Sequence, residues 1–206
     1  HQADSADIAD ALAAAARRNA RAIFSSDRKA AQLLERLAFV RHHLPEKGFP
    51  EMDDDTLGEI LARSCAGKRS LQQVKELDLA GLLLGELDWK LARELDELAP
   101  EYIQVPSGSR IRLEYSGEKQ PTLSVRLQEI FSWQQTPRIA GGRVPLVLEL
   151  LGPNFRPVQV TSDLASFWRT TYFQVRKDLR VRYPKHSWPE DPLTASPEAK
   201  GRRARN

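Results

Sequence analysis

The side chains best suited to chemistry in this sequence are cations arranged to meet phosphates. Arg110, Arg112 and Arg126 fall on the alternation opposite Ile111, Leu113, Val125 and Leu127, so a strand pair would carry them together on an exposed face. Arg169, Arg176 and Arg180 are separated by 7 and 4 residues, which on one helix places them within about 20–40° of a common direction. Guanidinium groups so presented suit bidentate phosphate contact. Downstream, Arg182-Tyr183-Pro184-Lys185-His186-Ser187-Trp188-Pro189 interleaves bases with aromatics. Charge mixed with stacking is how single strands of nucleic acid are held. A loop packed back on the body by Tyr183 and Trp188 would have the same text.

Other chemistries fail on their own requirements. A nucleotide-hydrolysing loop needs a glycine-rich turn ending in Gly-Lys-Ser/Thr after a strand; Gly67-Lys68-Arg69-Ser70 lacks the upstream glycine. The histidines are His1, His42, His43 and His186 and the only cysteine is Cys65, so no zinc-type spacing exists. His42 and His43, about 100° apart on a helix, are expected to diverge. Glu94, Asp96 and Glu97 lie beside Leu91, Leu95 and Leu98 as the polar side of a helix. Gly141-Gly142 suits a turn before a strand, since no helix start follows to cradle phosphate. The expectation is therefore no catalytic, cofactor-binding or metal-binding residue in this chain.

The elements that would position the arginines divide the chain in two. Up to residue 100 the pattern is helical. Ser5, Asp27, the Asp53-Asp54-Asp55 cluster, Asp78 and Asp88 offer helix starts, and Leu33, Leu37, Val40 and Leu44 or Leu57, Ile60, Leu61 and Cys65 form core-facing stripes. From residue 101 the period becomes two. Arg110–Tyr115 and Leu123–Leu127 predict a hairpin around Ser116–Pro121, Val144–Leu151 a buried strand, Pro157–Thr161 a short one, and Asp163 the start of a helix to about Val181. The expected class is α+β: a helical accessory domain over 1–100, a β-rich domain over 101–193, barrel-like or an open sheet and closed by its last helix, and a basic disordered tail over 194–206.

Formal net charge is +3, mild for a chain of this size. From Val160 onward, however, ten Lys/Arg face five Asp/Glu, while Leu71–Pro100 holds seven acids against three bases. The basic character thus belongs to the end of the chain. A lone cysteine argues for a reducing compartment and a cytoplasmic location, and no apolar run suits a membrane span. The chain starts at His1 and its one methionine is Met52, as expected of a piece of a longer protein.

Pro106-Ser107-Gly108-Ser109-Arg110-Ile111, Tyr115-Ser116-Gly117-Glu118, Val125-Arg126-Leu127-Gln128-Glu129, Thr136–Leu148, Arg156–Trp168 and Tyr183–Pro192 together resemble the C-terminal region of bacterial DEAH-box RNA helicases of the HrpB type. The resemblance is dense from about Leu77 to Leu193. It implies a parent ATP-dependent RNA helicase whose two RecA-like motor domains precede this region and hold ATP and Mg²⁺. It further implies RNA, single-stranded, and the helicase core of the same chain as partners of an accessory module. Ser132 departs from the family, which usually carries glycine after Phe131. Two readings stand: a module that engages RNA, with Arg110, Arg112 and Arg126 foremost, or a protein-interaction module that docks a partner or the motor without touching RNA.

Overall fold

The computed structural model describes residues 2–199, with side chains from Ala9 onward. Contacts divide the chain into two units: residues up to Ala99 together with Ser116–Lys119, and Pro100–Tyr115 together with Gln120 onward.

The first unit is helical: α1 (Gln2–Arg18), α2 (Ala20–Ser26), α3 (Arg28–His43), α4 (Asp54–Ser64), α5 (Leu71–Lys75), α6 (Leu79–Leu84) and α7 (Trp89–Leu98). Short polar side chains start most of them. Asp27, Asp53, Ser70, Asp78 and Asp88 accept from the backbone amides of Ala30, Thr56, Gln73, Gly81 and Leu91, each satisfying an amide the helix leaves unpaired. The amide of Thr56, and then its hydroxyl, hold the Asp53 carboxyl below the usual carboxylate range. Ser5 is not a start, because α1 already runs from Gln2. α1 and α2 are separated at Asn19, whose side chain donates to Ala15 O.

Ile23, Phe24, Leu37, Phe39, Leu57, Leu61, Leu83 and Leu95 fill the core of this unit. Cys65 joins them, and burial pushes its thiol up, as for an inert packed sulfur. Arg36 is also buried, donating from Nε to Ala99 O at 2.7 Å and pairing through Nη2 with Asp96 at 2.6 Å. Glu94 pairs with Lys47 and Glu97 with Arg93, so each of the three carboxylates near α7 holds a separate cation. His42 and His43 do not diverge: His42 Nδ1 lies 3.2 Å from a Glu118 carboxylate oxygen and His43 Nε2 lies 2.8 Å from Glu118 O. The Ser116–Lys119 turn curls over the end of α3 and brings one residue to both rings.

The second unit holds β1 (Tyr102–Gln104), β2 (Arg110–Arg112), β3 (Thr122–Arg126), β4 (Arg138–Ile139), β5 (Val144–Pro145), β6 (Val147–Leu151), β7 (Pro157–Thr161), α8 (Leu164–Arg169) and α9 (Tyr172–Arg182). The strands form three open sheets, ordered β1-β2, β3-β6-β7 and β4-β5, and no barrel closes among them. The class is α+β. β3 and β6 run parallel in the register Leu123↔Leu148 and Val125↔Leu150, all four buried.

That pairing displaces the expected hairpin. β2 pairs backward with β1, and its continuation meets β3 only at the bridge Glu114↔Thr122. Four apolar side chains buried between β3 and β6 outweigh a local turn. The expected last helix is likewise two: Thr170 and Thr171 separate α8 from α9, with Thr170 Oγ1 donating to Ser166 O. Gly141 and Gly142 take positive φ in the turn between β4 and β5, where Arg138 donates to Gly142 O and Arg143 O.

Candidate nucleic-acid interface

On the β1–β2 ribbon Tyr102 lies opposite Arg112 and Gln104 opposite Arg110. Residues directly opposite in an antiparallel pair share a face, as do residues two apart on a strand. Tyr102, Gln104, Arg110 and Arg112 therefore occupy one face, and Ile103 and Ile111 the other. Tyr102 and Arg110 are exposed, and the Arg110 guanidinium sits over the Tyr102 ring at 5.3 Å from its centroid. Arg112 is 18% exposed and its Nη2 lies 3.1 Å from Glu101 Oε1. That contact is an ion pair by distance but not a hydrogen bond, since Nε and Nη2 are buried without an acceptor in line.

The turn joining the two strands is fixed from below. Ser107 and Ser109 hydroxyls donate to Glu129 Oε1 at 3.3 and 2.7 Å, and the Ser107 amide donates to Glu129 O. Gly108 takes φ +87 at the tip, a conformation free of strain only for glycine. The Pro106–Ile111 text thus encodes a braced turn followed by an exposed cation.

Arg126 is not part of the basic face. It ends β3, just before the 3-10 turn Leu127–Ile130 changes the period, and it is 8% exposed. Its Nε pairs with Glu129, its Nη2 donates to Glu198 O, and Phe155 covers its guanidinium. Tyr102 and Gln104 join Arg110 on this face, which the alternation of Arg110–Tyr115 alone does not reveal. Their signal in the sequence is the short alternation Glu101–Val105 ahead of the Pro106–Ser109 turn.

The second set of residues separates in a similar way. Arg169 ends α8 while Arg176 and Arg180 lie on α9, so the three do not share one helix face. Arg176 turns inward: Nε donates to Trp188 O at 2.8 Å and Nη2 reaches Glu190. Trp188 is buried with its indole N–H on Tyr183 O, and Tyr172 Oη donates to Pro189 O. The Tyr183–Pro189 segment is thus the packed-back loop, and Trp188 offers no stacking face. Arg169, Arg180, Arg182 and Lys185 remain exposed. Of the expected tail, residues 194–199 are described, and the Glu198 amide donates to Gln128 O; Lys200, Arg202, Arg203 and Arg205 lie outside the described residues.

The HrpB C-terminal family, described as ATP-dependent helicase C-terminal, matches residues 60–192. This chain belongs to that family. The ATP-dependent RNA helicase HrpB of Escherichia coli (strain K12) is 44% identical over 173 residues, covering 82% of this chain and 21% of that protein. The crystal structure of the E. coli DExH-box NTPase HrpB superposes with a TM-score of 0.79 at 43% identity, over 84% of this chain and 22% of the other. The crystal structure of the E. coli DEAH/RHA helicase HrpB gives 0.72 at 40%, over 87% and 23%. The chain therefore spans about a fifth of the length of these relatives.

Within this HrpB region the residues do not fit ATP or Mg²⁺. Gly67-Lys68-Arg69-Ser70 lies between α4 and α5 with no strand before it. It is bonded within itself: Ser70 caps the five-residue α5 and the Arg69 amide donates to Gln73 Oε1, so it is not the strand-to-helix glycine loop that cradles phosphate. Among the described residues no group of three His, Cys, Asp or Glu could hold a metal ion. Among the same residues no helix is long and apolar enough to cross a membrane.

Proposed function

We propose that this chain is the accessory module of a longer HrpB-type ATP-dependent RNA helicase, engaging a single strand of RNA while a motor outside the chain turns over ATP with Mg²⁺. The observation that carries the reading is the β1–β2 ribbon, where one face collects Tyr102, Gln104, Arg110 and Arg112. Cations there would meet phosphates and sugars with little sequence preference. Arg169, Arg180, Arg182 and Lys185 are a second group of exposed cations, on and beside α8 and α9. Residues 1–100 and 101–193 act as its two domains, with 194–206 as a basic extension, in a cytoplasmic protein. The similarity to an ATP-dependent RNA helicase, a DExH-box NTPase and a DEAH/RHA helicase supports this assignment.

Binding of labelled single-stranded RNA by fluorescence anisotropy across a salt series tests it. Affinity should fall steeply with salt as counterions are released, and Arg110→Ala should flatten the slope by about 0.7 on a log–log plot, whereas Arg112→Ala, with its side chain 18% exposed against Glu101, should flatten it less. No binding at low salt would favour the second reading, a module that docks a protein partner or the motor. The exposed Phe173 and Val181 on α9, 54% and 80% accessible, favour that alternative.

A further inference from the structure

We infer that Tyr102 is a stacking platform for one unpaired nucleobase, uncovered when the Arg110 guanidinium leaves the ring for the neighbouring phosphate. This deepens the RNA-engagement reading and rests on it. Tyr102 is 41% exposed on the ribbon face, and Arg110 is placed over it by the diagonal of the register Tyr102↔Arg112, Gln104↔Arg110. A cation over an exposed aromatic ring gains less than a base stacked on one. Exchanging the first for the second also releases a guanidinium to hold a phosphate through two parallel hydrogen bonds. Gln104, on the same face, supplies amide donors and an acceptor beside the stacked base. Ser107 and Ser109 are already held by Glu129, so the ribbon need not be ordered when the strand arrives.

Stacking needs a bare base face, which a duplex hides. Tyr102 should therefore act only on unpaired strands, and more on purines, whose larger ring system covers more of the phenol. Anisotropy titrations of the 206-residue chain with oligoadenylate, oligouridylate and a blunt RNA duplex separate these contributions. Tyr102→Leu should weaken oligoadenylate binding about tenfold, oligouridylate less and the duplex not at all, leaving the salt slope unchanged. Tyr102→Phe should bind as the parent does. Replacing the bases of the oligoadenylate by abasic sites should reproduce the loss on unaltered protein, which guards against misfolding of the variant.

Arg110→Ala should instead lower the salt slope by about 0.7 with either oligonucleotide. If Tyr102→Leu binds oligoadenylate as the parent does while Arg110→Ala still weakens it, the platform is wrong and RNA engagement stands. Equal losses on duplex and single strand also overturn the platform. Absence of salt-dependent binding to any RNA by the unaltered chain overturns the underlying reading.

Discussion

Arg126 and Glu129 form a buried ion pair, Nε to Oε2 at 3.4 Å, with side chains 9% and 7% exposed. The other carboxylate oxygen of Glu129 accepts from both serines of the ribbon turn. A guanidinium whose spacing suits phosphate is thus buried against the carboxylate that holds the turn ahead of Arg110.

Removing one partner of such a pair strands the other charge away from water. Arg126→Met should lower stability by about 3–5 kcal/mol, read from the urea midpoint. Adding Glu129→Gln should recover much of that loss, because the neutral amide keeps an acceptor for the serine hydroxyls. The Arg126→Met/Glu129→Gln double variant should leave the salt slope of RNA binding unchanged, whereas a slope reduced by a full phosphate contact would put Arg126 at the interface.

Arg176 and Arg180 lie one turn apart on α9 and should behave oppositely. Arg176 bonds the carbonyl of Trp188, and losing a hydrogen bond from a charged donor should make Arg176→Ala cost roughly 1.5–3 kcal/mol. Arg180 is exposed, so Arg180→Ala should change stability by no more than about 0.5 kcal/mol. If α9 faces RNA, Arg180→Ala alone should reduce the salt slope. Paired thermal melts and anisotropy titrations distinguish them.

Legibility followed the range of the interaction. Asp27, Asp53, Asp78 and Asp88 were readable as helix starts because a cap is settled within three residues. Leu33, Leu37 and Val40 were readable as core because α3 runs unbroken through them. Arg126 was misplaced because alternation tells which residues share a face only while the strand lasts, and β3 ends there. The place of Tyr102 beside Arg110 is not legible for a related reason: alternation gives the faces of a strand but not its neighbour, and β2 pairs with the three residues of β1 before the turn. The break at Thr170 likewise invalidated an angular relation that assumed one helix. Arg110 and Arg112 were legible as one face because both lie in β2.

Tyr172 should give the protein an alkaline limit. Its pKa is pushed up to about 12, by burial first and by Asp191 in addition, with Arg176 opposing. In the unfolded chain it would ionise near 10. Because the folded value is higher, the unfolded state loses its proton first. Its contribution is therefore whole below about pH 10 and is lost as pH rises toward 12, on the order of 2–3 kcal/mol in total. Tyr172→Phe should be less stable at neutral pH by about 1 kcal/mol, through loss of the bond to Pro189 O, and its stability should fall less steeply over that window. Parallel slopes for the two proteins between pH 10 and 12 would refute the assignment.

Ser132 follows Phe131 with a φ of +72, in the left-handed region that favours glycine. An L-residue held there crowds its Cβ against its own backbone at a cost of about 1–2 kcal/mol, and glycine escapes it. Against this, glycine makes the unfolded chain freer by about 0.4–1 kcal/mol. The backbone hydrogen bond from the Ser132 amide to Pro192 O, at 2.9 Å, needs no side chain and survives the exchange. Strain relief is the larger quantity, so Ser132→Gly should stabilise the β-rich unit by about 0.5–1 kcal/mol and raise its Tm by about 2–5 °C in a calorimetric scan. A lower Tm would mean that the serine side chain contributes more than the left-handed backbone costs.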